Sequence, residues 1–219
     1  VADLKFRDLV GQKKGEKTVI GLREKRREFV ILLHVELPEP MEPKSPNLII
    51  FDLDETLIHA TSTALEYPPH FTFDDYFVYE RPLLRSFLID IASHFQVGIW
   101  SSAGDTYVQE IASKILPETV EPVIVWASSK CSLRRDMLYD TYVYEKRLEK
   151  LKKKGFRLEQ ILIIDDSPEK ARANYGNAIY IKEFTGDPND CELQHLYNYL
   201  LTLKTVENVR TIEKRGWRK

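Results

Sequence analysis

Cysteine is scarce: Cys131 and Cys191 are the only two in 219 residues, they lie far apart, and neither sits in a CxxC or beside a histidine cluster. A dense disulfide framework and a structural zinc module are therefore excluded, and a reducing compartment is the simpler setting. Long apolar runs are missing as well. The longest, residues 29–33 and 48–51, are strand-sized and fall far short of the roughly 18 residues of a membrane helix. Nor is there an excess of either charge, since Lys+Arg 32 against Asp+Glu 34 gives a formal net charge of -2. Attraction of the whole molecule to nucleic acid or an acidic membrane has no support, and any such binding would need a local patch. The chain begins at Val1 rather than Met, which leaves an N-terminal targeting segment open. Internal repeats and low-complexity blocks are absent too.

What is present divides into two parts. Residues 1–46 are an N-terminal segment and proline-rich linker of unassigned role. Charged residues there surround one apolar stretch, 29–35, which suits a strand or a buried helical turn equally, and Pro38, Pro40, Pro43 and Pro46 then oppose both helix and central strand. Residues 47–219 change character. Short, near-continuously apolar runs at 48–51, 97–100, 123–126, 161–164 and 178–181 alternate with amphipathic stretches, the pattern of parallel strands buried on both faces and joined by crossover helices. The expected fold class is α/β, a doubly wound parallel sheet.

The helices read from a period of about 3.6. Pro82 is expected at the first helical position ahead of Leu84, Phe87, Leu88, Ile91 and Phe95; a second apolar face runs through Tyr107, Val108, Ile111 and Ile115. Leu148 and Leu151 anchor a third helix ending at Gly155, Ser167-Pro168 opens a fourth, and Asp190 caps a fifth. The basic C-terminus, 214–219, reads as a frayed solvated tail.

Ligands of such sheets bind beyond the carboxyl ends of the strands, so the residues just after each apolar run carry the information. The first run is followed by Asp52-Leu-Asp54-Glu55-Thr56, the second by Ser101-Ser102, and the fourth by Asp165-Asp166-Ser167-Pro168. Either acidic pair alone would be an ordinary turn or cap. Together at neighbouring strand ends they concentrate negative charge that cannot all stay ionised unpaired. A hard divalent cation with oxygen ligands resolves this, and Mg2+ suits a few carboxylates completed by water and a substrate phosphate.

These residues resemble a family. Asp52-Leu-Asp-Glu-Thr56 after a hydrophobic strand is the DxDxT signature of the haloacid dehalogenase (HAD) superfamily of phosphatases. Tyr79-Glu-Arg-Pro82, Trp100-Ser-Ser-Ala103 and Ile164-Asp-Asp-Ser-Pro168 are similar to the FCP/SCP-type group, the NLI-interacting-factor-like phosphatases. The resemblance covers residues 47–203 and implies a HAD-type Rossmannoid sheet with a small hairpin insertion and no large cap. It also implies phosphoryl transfer through a covalent aspartyl-phosphate. On that reading Asp52 is the nucleophile and Asp54 the general acid and base, with Thr56 holding Asp54 in orientation and Ser101 hydrogen-bonding the phosphoryl oxygens. The family lysine falls at Lys146, with Lys150 as fallback because Arg147 stands where the family has Asp. The expected metal set is Asp52 and Asp166 through carboxylates and Asp54 through its carbonyl, with Asp165 in support and Mg2+ as the cofactor. Arg81 is expected to form a structural ion pair.

The insertions have room only for a hairpin in 58–81, with 71–79 as one strand, and an irregular excursion at 127–144. An uncapped site suits a phosphoserine or phosphothreonine presented on a protein, as the family's activity implies. Arg134, Arg135, Tyr139, Tyr142 and Tyr144 are candidates to engage a phosphopeptide or to be ordinary surface. No nucleic-acid or membrane partner is expected; the location expected is cytoplasmic, or nuclear in a eukaryote. A phosphatase of small molecules or nucleic-acid ends, and a receiver-like signalling scaffold, are the alternatives, and Asp54 separates the latter because an acid/base group promotes turnover.

Overall fold

A computed structural model describes residues 10–14, 17–24, 27–31, 46–136 and 140–218. The proline-rich stretch through residue 45, the end of the apolar run at 32–35, Tyr139 and Lys219 lie outside these. The chain separates into two compact units, Val1–Glu42 and Pro43–Lys219. The first contains the antiparallel strands β1 (Val10–Lys14), β2 (Lys17–Glu24) and β3 (Arg27–Ile31), in the order β1-β2-β3. Leu22 pairs with Phe29 and Ile20 with Ile31, so the start of the ambiguous apolar run is strand.

In the second unit β4 (Leu48–Phe51) leads into an antiparallel insertion of β5 (Ile58–Thr61), β6 (Phe71–Phe73) and β7 (Tyr76–Glu80). Helix α1 (Leu84–His94) returns the chain to β8 (Gln96–Trp100), and α2 (Asp105–Ile115) to β9 (Val125–Trp126). A hairpin of β10 (Ser132–Asp136) and β11 (Thr141–Glu145) follows. Then come β12 (Ile161–Asp165), α3 (Pro168–Ala171), β13 (Ala178–Tyr180) and α4 (Glu192–Thr202). The five-stranded sheet has the order β13-β12-β4-β8-β9, and its pairings are parallel.

The strands are apolar on both faces because both faces are covered. Ile49, Phe51, Leu162, Ile164, Val97 and Ile99 pack with Leu88 and Ile91 of α1, Val108 and Ile111 of α2, and Leu196 and Leu200 of α4. Leu48, Ile50, Ile161, Ile163 and Trp100 pack on the opposite side with Leu148, Leu151 and Ala171. The register brings Phe51 opposite Ile164 on β12 and Ile99 on β8. Central β4 therefore ends between the ends of β8 and β12, and the acidic residues after β4 and β12 become neighbours.

Several local expectations are corrected. Helix α1 starts at Leu84 rather than Pro82, because the Leu84 amide closes a turn onto the Arg81 carbonyl at 3.0 Å and Leu83 takes a left-handed φ of 67°. Residues 71–79 are two strands, since the turn places Asp74 at φ 46° and pairs Phe73 with Tyr76. The excursion at 127–144 holds an ordered hairpin in which Leu133 pairs with Tyr144 and Arg135 with Tyr142. The segment Leu148–Lys154 is 3-10 helix, ended by Gly155 at φ 89°. Cys191, not Asp190, is the N-cap of α4, although Asp190 Oδ1 accepts the Glu192 amide at 2.9 Å.

Residues 214–218 of the basic C-terminus are packed rather than frayed. Trp217 is buried beside Tyr199, its indole donating to the Tyr180 carbonyl at 2.9 Å. Lys214 donates to the carbonyls of Gly176 (2.6 Å), Ile212 (2.9 Å) and Val209. These contacts cover the β13 edge with side chains that a charge-rich sequence conceals.

Candidate functional site

The loop after β4 is a tight turn centred on Leu53. Its carbonyl accepts the amides of Thr56 (3.2 Å), Leu57 (2.8 Å) and Ile58 (3.1 Å), and Glu55 is held at φ 56°. Leu53 and Leu57 are fully buried and anchor the turn, while the carboxylate of Asp52 reaches Lys146 and Lys170 and that of Asp54 reaches Ser101 after β8 and Tyr107 of α2. Arg81, itself buried, locks this loop from beneath. It donates from Nε (2.8 Å) and Nη2 (2.9 Å) to the two oxygens of Asp190, from Nη1 to the Thr56 carbonyl (2.9 Å) and from Nη2 to the Lys182 carbonyl (2.8 Å).

Asp52 sits at the centre. Its Oδ1 lies 2.8 Å from Lys146 Nζ and accepts the Leu53 amide at 2.9 Å. Its Oδ2 is buried without a hydrogen-bond partner, with Lys170 Nζ 3.5 Å away. Lys146 also donates to Asp165 Oδ2 at 2.7 Å, and the other oxygen of Asp165 accepts the Ser167 amide at 2.9 Å. Lys146 is fully buried and its backbone is fixed at both ends, donating to the Lys170 carbonyl at 2.8 Å and accepting from Asn174 Nδ2 at 2.5 Å. Lys150, the fallback, donates instead to the Lys130 carbonyl at 2.6 Å on the surface. Burial alone would lower the Lys146 pKa, but Asp52 and Asp165 outweigh it and hold the ammonium above its ordinary value.

Asp54 is gripped by two hydroxyls. Ser101 Oγ donates to its Oδ2 at 3.2 Å and the Tyr107 hydroxyl donates to its Oδ1. Burial, then the charge of Asp52, raise the Asp54 carboxyl above its usual range against the opposing hydrogen bonds. The expected partnership with Thr56 is corrected: its hydroxyl donates to Asp166 Oδ1 at 3.4 Å, and Ser167 Oγ to Asp166 Oδ2 at 2.9 Å. The turn carries Thr56 past Asp54 toward β12, and hydroxyls from the β8 side take its place. Ser101 Oγ further accepts the Ala103 amide at 3.0 Å.

The carboxylates of Asp52, Asp54, Glu55, Asp165 and Asp166 face the ammonium groups of Lys146 and Lys170, leaving a surplus of negative charge. Burial and then its acidic neighbours push Glu55 up to about 7, and burial followed by Asp52 raises Asp165. Oxygens of Asp52, Asp165 and Asp166 lie within 4.8 Å of one another. An oxygen-only donor set in a net negative pocket fits a hard divalent cation.

Asp52, Asp54, Ser101, Lys146, Asp165, Asp166 and Thr56 thus converge, and the structure adds Tyr107 and Lys170. Tyr107 lies on the apolar stripe of α2, a position that reads as core in the sequence. Lys170 sits in a four-residue helix too short for any periodic signal.

Residues 47–210 match the family of NLI interacting factor-like phosphatases. The CTD small phosphatase-like protein 2 of Dictyostelium discoideum is 34% identical over 185 residues, covering 80% of this chain and 30% of that protein. The CTD nuclear envelope phosphatase 1 of Xenopus laevis is 25% identical over 220 residues, covering 87% of this chain and 86% of that protein. The chain spans less than half the length of the first curated relatives it matches. A solved structure of Fcp1, an RNA polymerase II CTD phosphatase, superposes with a TM-score of 0.57 at 15% identity over 74% of this chain and 63% of that one, a likeness of fold.

Proposed function

The chain belongs to the NLI interacting factor-like phosphatases, and from that premise we propose that it is a magnesium-dependent phosphatase of protein phosphoserine or phosphothreonine, acting through a phosphorylated Asp52. The observation that carries the reading is the state of Asp52: one oxygen is held by Lys146 and a backbone amide, and the other is free of hydrogen bonds beside a carboxyl held by two hydroxyls.

The chemistry follows from those contacts. Oδ2 of Asp52 bonds to phosphorus as the bond to the serine or threonine oxygen breaks, and Asp54 gives its proton to the departing oxygen. The raised pKa of Asp54 keeps a larger fraction protonated for this step than an ordinary carboxyl would retain. Asp54, now ionised, takes a proton from water, whose oxygen attacks the phosphorus; inorganic phosphate leaves and the Asp52 carboxylate is restored. Lys146 offsets charge on Oδ1 throughout, bridging it to Asp165. A bound Mg2+, held by the carboxylates of Asp52 and Asp166 and the Asp54 carbonyl with Asp165 in support, would offset charge on the phosphoryl oxygens.

Small insertions, β5 to β7 and the β10–β11 hairpin, leave room for a phosphate presented on a polypeptide. The relatives' names as CTD phosphatases support a protein substrate, and the nuclear envelope phosphatase supports a cytoplasmic or nuclear setting. A receiver-like role is disfavoured because Asp54, two residues from the nucleophile, is held in place to promote hydrolysis.

The deciding experiment is turnover of an aryl phosphate and a phosphoserine/phosphothreonine peptide panel with Mg2+, with EDTA, and with Asp52→Asn. Metal-dependent turnover lost in the variant is expected. Turnover surviving Asp52→Asn would sink the aspartyl-phosphate, and an inert, folded, metal-bound chain would move the reading to a scaffold.

A further inference from the structure

Lys146 accounts for only one side of Asp52. The other oxygen is buried, unpartnered by any hydrogen bond, and faces Lys170 Nζ at 3.5 Å. The two lysines differ in kind. Lys146 is sealed in and bonded at 2.7 and 2.8 Å to two carboxylates, whereas the Lys170 side chain retains 23% exposure and a longer contact, as expected of a group at the mouth with freedom to meet something else. They are also joined through the backbone, since the Lys146 amide donates to the Lys170 carbonyl at 2.8 Å. The placement of Lys170 is thus set by the same framework that fixes Lys146.

We propose that Lys170 is a second cationic catalytic residue, its ammonium meeting the oxygens of the phosphoryl group that arrives on Oδ2 of Asp52. The inference rests on the aspartyl-phosphate reading and adds a residue to it. A dianionic phosphoryl group entering a pocket of carboxylates meets strong repulsion, and Lys146 already directs two of its three donors to Asp52 and Asp165. Lys170 lies where that group must come. Its ammonium is the positive group that faces Oδ2 of Asp52, at 3.5 Å. The same charge repels a divalent cation from those carboxylates. Lys170 therefore has effects of opposite sign on the two ligands, favouring the anion and opposing the cation.

The test is calorimetric and uses Lys170→Met in the full chain. Inorganic phosphate is titrated into the Mg2+-loaded protein, and Mg2+ into protein stripped with EDTA. Phosphate affinity should fall about tenfold, the order of one charge-assisted contact, while Mg2+ affinity rises severalfold. Lys170→Arg should keep phosphate binding close to that of the parent. Unchanged phosphate affinity in Lys170→Met, or both affinities falling together, overturns the proposal. If the Met variant does not fold, Lys170→Gln takes its place in the same two titrations, and an unchanged phosphate affinity there overturns the assignment. Turnover by the parent with a Lys170 indifferent to phosphate would defeat this inference alone. A parent that responds as expected here but turns over nothing would defeat only the enzymatic reading.

Discussion

The hydroxyl of Tyr107, in the first turn of α2, donates to Oδ1 of Asp54, so the group proposed as acid and base is held from a helix that begins after the neighbouring strand. Tyr107 also packs edge-on against Phe73 of the insertion, with ring centroids 5.2 Å apart. Tyr107→Phe keeps that packing and removes only the hydroxyl. Poor leaving groups depend on a well-placed acid more than aryl phosphates do. The variant should thus lose about tenfold in kcat on a phosphoserine peptide, within the range for acid–base positioning, and distinctly less on an aryl phosphate. Equal losses on both substrates would reduce Tyr107 to a packing residue.

The same variant has a pH signature. A donor to the carboxylate favours its charged form, so the Tyr107 hydroxyl lowers the Asp54 pKa against the burial that raises it. Removing the hydroxyl should move the alkaline limb of kcat/KM to higher pH, because Asp54 then stays protonated further. A limb that moves to lower pH, or does not move, contradicts the role given to Asp54.

Glu55 gives a prediction about stability. Burial, then Asp54 and Asp166, push its carboxyl up to about 7, well above the ordinary value of 4.5. Between those values the folded chain holds a proton that the unfolded chain has lost, so stability falls as pH rises. In EDTA the melting temperature should decline from pH 5 to pH 8, and Glu55→Gln should flatten part of that decline. Added Mg2+ should reduce the decline in the parent by offsetting the acidic neighbours. An identical slope in Glu55→Gln would show that other groups govern it.

How much of this was legible in the sequence depends on what each segment is buried against. Residues 48–51 and 161–164 announce strands because both of their faces are covered, which leaves an unbroken apolar run. Asp52, Asp54, Asp165 and Asp166 were visible because they stand at the ends of those runs. The hairpin of β10 and β11 was not, since Leu133 and Tyr142 are more than half exposed and its strands carry charged residues among apolar ones. Spacing along the chain cannot reveal that the turn at Leu53 carries Thr56 to Asp166 rather than to Asp54. Tyr107 and Lys170 depend on contacts made across the fold.

Arg81 illustrates a buried pair whose halves are unequal to their sum. Its guanidinium is fully enclosed and binds both oxygens of Asp190, as well as the carbonyl of Thr56 in the site loop. Asp190→Ala would leave that charge buried without its counter-ion, at a cost of about 3 kcal/mol. The melting temperature should drop accordingly, and kcat should fall with it because the loop carrying Asp52 to Thr56 loses its anchor. A variant as stable as the parent would mean that the Thr56 and Lys182 carbonyls suffice to hold the arginine.

The C-terminal residues offer a contrasting case, structural without being catalytic. Trp217 fills a position against Tyr199 and closes over the end of β13 through its bond to the Tyr180 carbonyl, while Arg218 stacks on its ring and pairs with Glu192 of α4. Removing a largely buried indole should cost about 3 kcal/mol, the lower end for large aromatic truncations, because the site is at the sheet edge. None of these contacts reaches the carboxylates at the strand ends, so Trp217→Ala should lower the melting temperature while leaving kcat on an aryl phosphate near the parent value at a temperature where both are folded. A loss of kcat at full folding would instead tie the edge strand to the positioning of Asp165, its parallel partner across from Tyr180.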